Sequence, residues 1–406
     1  MMPDRIAFQT GLDVLIADDF GALMGKRIGL LTNPSAVDQH LRSTYDIFHR
    51  SEAVNLAALF GPEHGFMGAA ADGEQIGAAV DSRTGLPIHS LYGATYRPTA
   101  AMLAGLDAIV CDLQDVGARF YTYIWTIAEI MAAAGEHGVE VIVLDRPNPL
   151  GGRIIEGGPL DPALASLVGR GPLPIRHGLT VGELARLINA VLLPKRAHLT
   201  VIPCVGWSRD LVWPALGRPW IAPSPNIHCV EALLHYPGAC LLEGTNLSEG
   251  RGTAQPFQWV GAPWIDGPAL ADHLNQQGWP GVRFRACAFQ PTASKWAGQV
   301  CHGVQAHITD TPAWQPVRAW LGVIAAIRRL YPDDFAWLAP TDPAGDHHFD
   351  RLIGSRTTRS LIDSGAPLAA LMIGWDAFCA EFDAQRQPYM LYRERPITPI
   401  TSEENS

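Results

Sequence analysis

The sequence predicts an α/β protein built on a parallel sheet with helices on both faces. In the first half of the 406-residue chain, short apolar runs at residues 27–32, 55–60, 108–113 and 139–144 are typical of buried strands. Segments with helical periodicity, such as residues 122–137, separate these runs. Strands joined through helices form right-handed crossovers, which place neighbouring strands parallel to one another.

The second half predicts a smaller α/β unit. Strand-like and helical segments occur there at residues 282–285, 304–308, 317–330 and 368–382. A chain of 406 residues exceeds the usual size of a single hydrophobic core, so we expect two domains. A proline-rich passage ends at Asn226 and predicts a boundary between residues 1–226 and residues 227–406.

Composition excludes several classes of protein. The formal net charge is −10 and no Lys/Arg run stands out, so a nucleic-acid partner is not expected. No stretch approaches the roughly 18 unbroken apolar residues of a membrane helix, so no membrane span is expected. Seven cysteines at irregular spacing, without a C-x-x-C, indicate thiols in a reducing compartment. The N-terminus lacks the apolar core of a signal peptide, so the sequence as given predicts a cytoplasmic protein.

Polar residues follow each predicted strand of the first half. The parallel sheet would bring them to one edge, where open α/β sheets bind ligands. They are Thr32 and Asn33, Glu63 and His64, Asp112 and Asp115, and Asp145, Arg146 and Asn148. Their convergence predicts a site at this edge.

Glu63 lies in the turn Gly61-Pro62-Glu63-His64-Gly65, directly after a predicted strand. Glycine and proline on both flanks specify a tight backbone there. A carboxyl group beside an imidazole suits general acid–base chemistry. The alternative is a carboxylate that caps a following helix.

Two further segments of the first half carry ligand-binding side chains. After Asp112 and Asp115, Arg119 can grip a carboxylate with two hydrogen bonds, whereas Tyr121 and Tyr123 offer ring faces and hydroxyls that suit sugars. The alternative for this segment is an Asp–Arg pair that fixes a loop. Around Asp145 and Asn148, ligand contact and a structural Asp145–Arg146 pair are equally consistent with the sequence.

Residues 243–253 form the densest polar segment of the second half. Glu243, Asn246, Glu249 and Arg251 suit a ligand rich in hydroxyl groups, and the alternative is a polar turn network. The chain has neither a P-loop nor a G-x-G-x-x-G after its first strand, so no nucleotide cofactor is expected. It also has no H-E-x-x-H and no G-x-S-x-G, which disfavours a zinc site and a serine hydrolase.

Blocks distributed along the chain resemble the exo-β-N-acetylmuramidases of bacterial cell-wall turnover. The block around Glu63, Leu59-Phe-Gly-Pro-Glu-His-Gly65, is one of them. The others lie at residues 31–34, 84–87, 91–93, 112–117, 119–123, 145–149, 223–226, 243–246, 248–253, 291–292, 295, 301–304, 349–352 and 354–355. The resemblance therefore covers nearly the whole chain in order.

The resemblance implies a Rossmann-like catalytic domain without a dinucleotide site and a smaller C-terminal α/β domain that closes the active-site cleft. It implies an enzyme that releases N-acetylmuramic acid from the non-reducing end of peptidoglycan fragments, with the family's glutamate at Glu63. Members of the family are typically exported, so the expected location becomes periplasmic or extracellular if a leader has been removed.

Glycoside hydrolysis requires an acid for the leaving oxygen and a group opposite it. We assign the first role to Glu63; Asp115, Glu249 or the substrate's own N-acetyl group are candidates for the second. Arg119, Arg251 or His64 could hold the lactyl carboxylate of muramic acid. The predicted substrate-binding residues are His64, Asn33, Asp112, Arg119, Tyr121, Tyr123, Asp145, Asn148, Asn226, Glu243, Asn246 and Arg251. The alternatives are a non-catalytic amino-sugar-binding or sensing protein and, more weakly, an amide or ester hydrolase.

Overall fold

A seven-stranded sheet forms the centre of the first half. The computed structural model describes residues 7–71, 73–75 and 77–392. The strands are β1 (Arg27–Thr32), β2 (Asn55–Gly61), β3 (Ala79–Val80), β4 (Pro87–Ser90), β5 (Ala108–Asp112), β6 (Glu140–Leu144) and β7 (Leu199–Ile202). Their order is β3-β4-β2-β1-β5-β6-β7, and all pairs are parallel except β3 with β4. Without β3 this is the Rossmann order, so the predicted α/β fold is confirmed.

Both faces of this sheet are buried, as the continuous apolar strands predicted. The helices of the first half are α1 (Gly11–Ala17), α2 (Thr44–Arg50), α3 (Ala100–Leu103), α4 (Tyr123–His137) and α5 (Val181–Val191). Val110 and Ile142 belong to the hydrophobic cluster that contains residues of α1 and α2. Ile109 and Val141, their neighbours in the chain, belong to the cluster that contains residues of α4 and α5. Successive side chains of a strand point to opposite faces, so each strand joins two layers of helices.

The second half contains a smaller antiparallel sheet of order β8-β10-β9. Its elements are α6 (Val230–Ala239), β8 (Trp259–Ala262), α7 (Gly267–Gln276), β9 (Val282–Phe289), β10 (Cys301–Ile308), α8 (Pro316–Leu330), α9 (His348–Ile353), α10 (Arg356–Asp363), α11 (Leu368–Leu371) and α12 (Trp375–Arg386). The single helix predicted over 368–382 is wrong. Gly374, with a φ of 80°, separates α11 from α12, because this left-handed backbone interrupts a helix.

Several buried contacts join the two halves. The Arg119 guanidinium donates hydrogen bonds to the carbonyls of Gly158, Leu173 and Leu352, the last of which lies on α9. The chain also returns to the first half at its described end, where Tyr392 donates to Asp145 at 2.5 Å. The division at residue 226 stays a prediction. Among the described residues, none of the helices has both the length and the apolar character needed to cross a membrane.

Candidate active site

A cavity of about 300 Å³ lies between the two halves. From the first half it is lined by Glu63, His64, Tyr92, Phe120, Tyr121, Thr122, Ser224 and Asn226, among others. From the second half it is lined by Tyr236, Cys240, Glu243, Arg251, Phe257, His348 and Leu352, among others. The cavity is therefore bounded by polar groups at the carboxyl end of the large sheet and by polar and aromatic groups of the second half.

Glu63 is held at the cavity wall by three hydrogen-bond donors. One carboxylate oxygen accepts from the Thr122 hydroxyl at 2.7 Å, and the other accepts from the Gly73 N–H at 3.2 Å. The Tyr92 hydroxyl also hydrogen-bonds to Glu63; burial and then the Glu63 charge raise the pKa of Tyr92. Thr122 is the residue immediately before α4, so the sheet and this helix jointly orient the Glu63 carboxylate.

His64 stabilises the turn that carries Glu63. Its backbone is left-handed, with a φ of 66°, and its side chain is buried. The His64 Nδ1 lies 2.9 Å from the Ala70 carbonyl, and since a carbonyl only accepts, Nδ1 carries the proton. In the described residues from 64 to 99 no helix begins, so the alternative of a helix-capping Glu63 finds no helix on that side.

Glu243 brings a second carboxylate to the cavity, from a 3₁₀ turn at Cys240–Gly244. Arg251 donates to one Glu243 oxygen at 2.6 Å, and its guanidinium lies 5.1 Å from the centre of the Phe257 ring. Burial lowers the pKa of Arg251 to about 10, whereas the Glu63 charge acts in the opposite direction. The second Glu243 oxygen lies 3.5 Å from the Nε2 of His348.

Glu249 lies behind Arg251, and it is buried. Its carboxylate is 3.2 Å from the Arg251 Nε and 2.7 Å from the Lys295 Nζ. Burial raises the pKa of Glu249 and the Lys295 charge opposes that shift. Lys295 also donates to the carbonyls of Leu242 and Thr245, at 2.9 and 3.0 Å. Glu249 thus fixes Arg251 from the protein side rather than lining the cavity.

The buried acids that follow β5 and β6 make structural contacts. Asp112 forms a two-point ion pair with Arg146, at 2.5 and 2.9 Å, and also accepts from Thr44. Asp145 accepts from Thr180, Tyr392 and the backbone of Gly182. Burial raises the pKa of Asp145 to about 7. Both structural pairings considered from the sequence were wrong, because Arg146 pairs with Asp112 rather than Asp145, and Arg119 pairs with neither acid of its own segment.

Three predicted ligand residues hold loops instead of lining the cavity. Asn33 and Tyr123 both donate to the carbonyl of Pro223, at 3.1 and 2.5 Å, and so fix the loop that carries Ser224 and Asn226. Asn148 donates to the Leu179 carbonyl at 3.0 Å.

Two more predicted ligand residues bond to backbone groups of distant segments. Asn246 donates to Asp334 and accepts from Ala336. The Arg119 guanidinium donates to the carbonyls of Gly158 and Leu173 in the first half and of Leu352 in the second, and burial lowers its pKa to about 9.

Asp115 forms a buried pair with His177. The Leu179 N–H donates to the His177 Nδ1, so the neutral ring carries its proton on Nε2, which lies 3.7 Å from the Asp115 carboxylate. Burial raises the pKa of Asp115 to about 7, and burial followed by two nearby arginines lowers the pKa of His177 to about 3. Asp115 also accepts from the Gly117 N–H at 2.6 Å.

The structure therefore brings six predicted site residues to the cavity: Glu63, His64, Tyr121, Asn226, Glu243 and Arg251. Sequence reasoning missed Tyr92, Thr122, Lys295 and His348. The first three lie in or beside segments that support the family resemblance, which was a usable signal. His348 also adjoins such a segment, at residues 349–352, but that segment gave no sign of its place beside Glu243, because the two residues are 105 positions apart. Among the described residues, no three His, Cys, Asp or Glu side chains are grouped so that they could hold a metal ion.

The strand order and the two-sided cavity define the class of this protein. It is an α/β protein with an acid-lined site at the carboxyl end of a Rossmann-like sheet, closed by a second α/β unit. Comparison with known proteins narrows this class to one family.

Models for the two parts of the exo-beta-N-acetylmuramidase NamZ match residues 28–231 (N-terminal) and 234–392 (C-terminal). The peptidoglycan beta-N-acetylmuramidase NamZ of Bacillus subtilis (strain 168) is 44% identical over 384 residues, which are 95% of this chain and 91% of that protein. This chain belongs to the exo-beta-N-acetylmuramidase NamZ family, which confirms the resemblance predicted from the sequence.

Two crystal structures of DUF1343 family proteins from Bacteroides fragilis NCTC 9343 share the fold. The first is 39% identical with a TM-score of 0.88, and the second is 30% identical with a TM-score of 0.75. In both comparisons the match covers 96% of this chain and 100% of the Bacteroides fragilis chain. The fold therefore extends over both halves of the chain.

Proposed function

We propose that this protein is an exo-acting β-N-acetylmuramidase that releases N-acetylmuramic acid from the non-reducing end of peptidoglycan fragments such as MurNAc-GlcNAc. The observation that carries the proposal is the placement of Glu63. A glutamate from the family's motif lies at the wall of a cavity, held by Thr122, Tyr92 and Gly73. Family membership supplies the reaction class.

Glu63 acts as the general acid in this proposal. Cleavage of a glycosidic bond needs a proton on the leaving oxygen as the bond to the anomeric carbon breaks. The donors around Glu63 fix the direction in which its carboxyl group points, and fixed geometry is a large part of general acid catalysis.

The dimensions of the cavity support attack on a terminal sugar. A volume of about 300 Å³ is at the small end of the range for ligand pockets, which suits one sugar better than a long glycan. Tyr121, Tyr236 and Phe257 line it with ring surfaces, against which the apolar face of a sugar can pack.

Two of the three residues predicted for the lactyl carboxylate remain suitable. Arg251 and His64 line the cavity, whereas Arg119 is committed to three carbonyl groups elsewhere. We assign the lactyl contact to the side of the cavity where Arg251 lies, since its guanidinium provides directed donors for a carboxylate.

Incubation with MurNAc-GlcNAc tests the proposed function. We expect free N-acetylmuramic acid, and we expect Glu63→Gln to lower kcat by about 10²–10⁴-fold, the usual range for loss of a general acid. The variant should unfold at the temperature of the unsubstituted protein. If the unsubstituted protein released no N-acetylmuramic acid between about pH 5 and pH 8, where a tuned carboxylic acid works, the proposal would be refuted. Ligand-induced thermal stabilisation without turnover would instead support a sugar-binding protein.

A further inference from the structure

We propose that Glu243 is the second catalytic carboxylate, acting at the anomeric carbon on the face opposite the leaving oxygen. The inference rests on the proposed glycosidase function and adds the group that Glu63 requires opposite it. It replaces Asp115 and Glu249, the protein groups considered from the sequence, with a residue predicted there only to bind substrate.

Glu243 faces the same cavity as Glu63. Among the described residues that line the cavity, the carboxylates are those of Glu63 and Glu243. They come from different halves of the protein, Glu63 after β2 and Glu243 from the turn at Cys240–Gly244. A sugar bound between the halves is therefore placed between two carboxylates, as glycosidases require.

The two acids have different hydrogen-bond partners. Glu63 accepts hydrogen bonds from two hydroxyls and one backbone N–H, and its charge also acts on the Arg251 guanidinium. Glu243 instead contacts the Arg251 guanidinium at 2.6 Å, with the His348 ring 3.5 Å from its other oxygen. The Arg251 guanidinium is a charged donor that fixes the direction of the Glu243 carboxylate towards the cavity.

Charged residues on the protein side of Arg251 hold its guanidinium in contact with Glu243. Glu243, Arg251, Glu249 and Lys295 form a row of alternating charge that runs from the cavity into the protein. Glu249 is buried, and its contacts with Arg251 and Lys295 hold the guanidinium against Glu243. Glu249 is thus a positioning residue for Arg251, whereas Glu243 is the acid that reaches substrate.

The chemistry that follows is balanced. The Glu63 proton passes to the glycosidic oxygen while the bond from that oxygen to the anomeric carbon breaks, and the bonding electron pair stays on the oxygen. Glu243 either supplies the electron pair that bonds the anomeric carbon, to be displaced later by water, or takes the proton of the water that attacks directly. The anomer of the first product formed by the unsubstituted enzyme separates these two geometries.

Chemical rescue with azide tests the assignment. The substrate is the 2,4-dinitrophenyl β-glycoside of N-acetylmuramic acid, whose leaving group needs no proton. We expect Glu243→Ala to lower kcat by about 10²–10⁴-fold on this substrate and on MurNAc-GlcNAc, with KM changed far less. Azide should then restore turnover of the dinitrophenyl glycoside by about tenfold or more and yield the α-glycosyl azide, since azide enters the face that Glu243 vacates.

Two companion variants control for structure. Glu243→Gln keeps the side-chain volume and can still accept from Arg251, so a similar loss of kcat in this variant assigns the effect to the carboxylate rather than to packing. Glu381→Gln makes the same chemical change at an exposed residue of α12 and should leave kcat unchanged. Thermal unfolding of all variants checks that each is folded.

The outcomes separate this assignment from the proposed function. An unsubstituted protein inactive on both substrates would refute the glycosidase itself, and Glu243 with it. An active protein whose Glu243→Ala variant keeps kcat, or loses only affinity, would refute Glu243 alone. A folded, inactive Glu243→Ala variant without azide rescue would also refute it and would favour the substrate's N-acetyl group in that role.

Discussion

Acids that follow different strands of the large sheet differ in whether they reach the cavity. Asp112 and Asp145, at the ends of β5 and β6, are fully buried and satisfied by partners from inside the protein. Glu63, after β2, is half-buried and lines the cavity. All three were predicted to converge on one edge of the sheet, but only Glu63 is available to a ligand. At the carboxyl end of this parallel sheet, some polar groups therefore close the protein and another lines the cavity.

Residues 243–253 of the second half also include both cavity-lining residues and residues that contact only protein groups. Glu243 and Arg251 line the cavity, whereas Asn246 and Glu249, between them in the chain, bind protein groups. Both kinds of acid accept hydrogen bonds from protein groups, and what distinguishes an acid of the site is that it also lines the cavity. Three substitutions test that distinction.

Asp112→Ala should produce the largest change in stability. Removing one member of a fully buried ion pair leaves the Arg146 charge uncompensated, which typically costs about 3–5 kcal/mol. Denaturant unfolding measures this loss, and the molecules that remain folded should keep their activity. Glu136→Ala is the matched control, because its ion pair with Arg97 is half-exposed and should cost at most about 1 kcal/mol. Equal losses in the two variants would contradict the distinction.

Asp115→Asn should alter how stability depends on pH. The folded protein holds the Asp115 proton up to about pH 7, well above the unfolded pKa of 3.8, so this group's contribution to stability is fully present below about pH 4 and is lost as the pH rises towards 7. The variant lacks this loss. Its free energy of unfolding relative to the unsubstituted protein should therefore improve between pH 4 and pH 8, by at most about 4 kcal/mol at roughly 1.4 kcal/mol per pKa unit.

Denaturant titrations of both proteins at several pH values test this expectation. Parallel curves for the two proteins would show that Asp115 does not titrate in this range. His177, which faces Asp115, is present in both proteins and its own titration therefore largely cancels in the difference.

Tyr92→Phe should have a smaller effect, confined to activity. It removes one of the donors that hold Glu63 but leaves those from Thr122 and Gly73, so we expect kcat to fall about tenfold, roughly the worth of one hydrogen bond to a charged group. Steady-state kinetics on MurNAc-GlcNAc measures this loss of kcat.

Tyr96→Phe is the natural control for that measurement. The Tyr96 ring packs edge-on against Tyr92 at 5.4 Å, so the two substitutions disturb the same aromatic pair. Only Tyr92→Phe should lower kcat. A fall of the same size in both variants would assign the effect to packing rather than to the hydrogen bond.

Most of the fold could be predicted because its signals are local. β6 spans Glu140–Leu144 and the prediction was 139–144, since a run of β-branched residues between helical segments is decided within a few positions. The helix predicted over 368–382 failed because Gly374 takes a left-handed conformation that its neighbours do not signal.

The site was less predictable, because side-chain partners are distant in sequence. Glu63 could be identified from its own turn. Asp112, however, is neutralised by a residue 34 positions away, and Arg119 reaches a carbonyl 233 positions away. In the sequence, an acid that is buried after a strand cannot be distinguished from an acid that lines the cavity, because the distant partners decide between the two.

The contact between Asp145 and Tyr392 has a consequence for biosynthesis. Its two residues are 247 positions apart, and Arg386 likewise donates to Gly152 and Gly178 from far along the chain. A ribosome that has made all seven strands of the large sheet has not yet made these donors. The first half therefore completes these hydrogen bonds only after residues 386–392 of the second half have been translated.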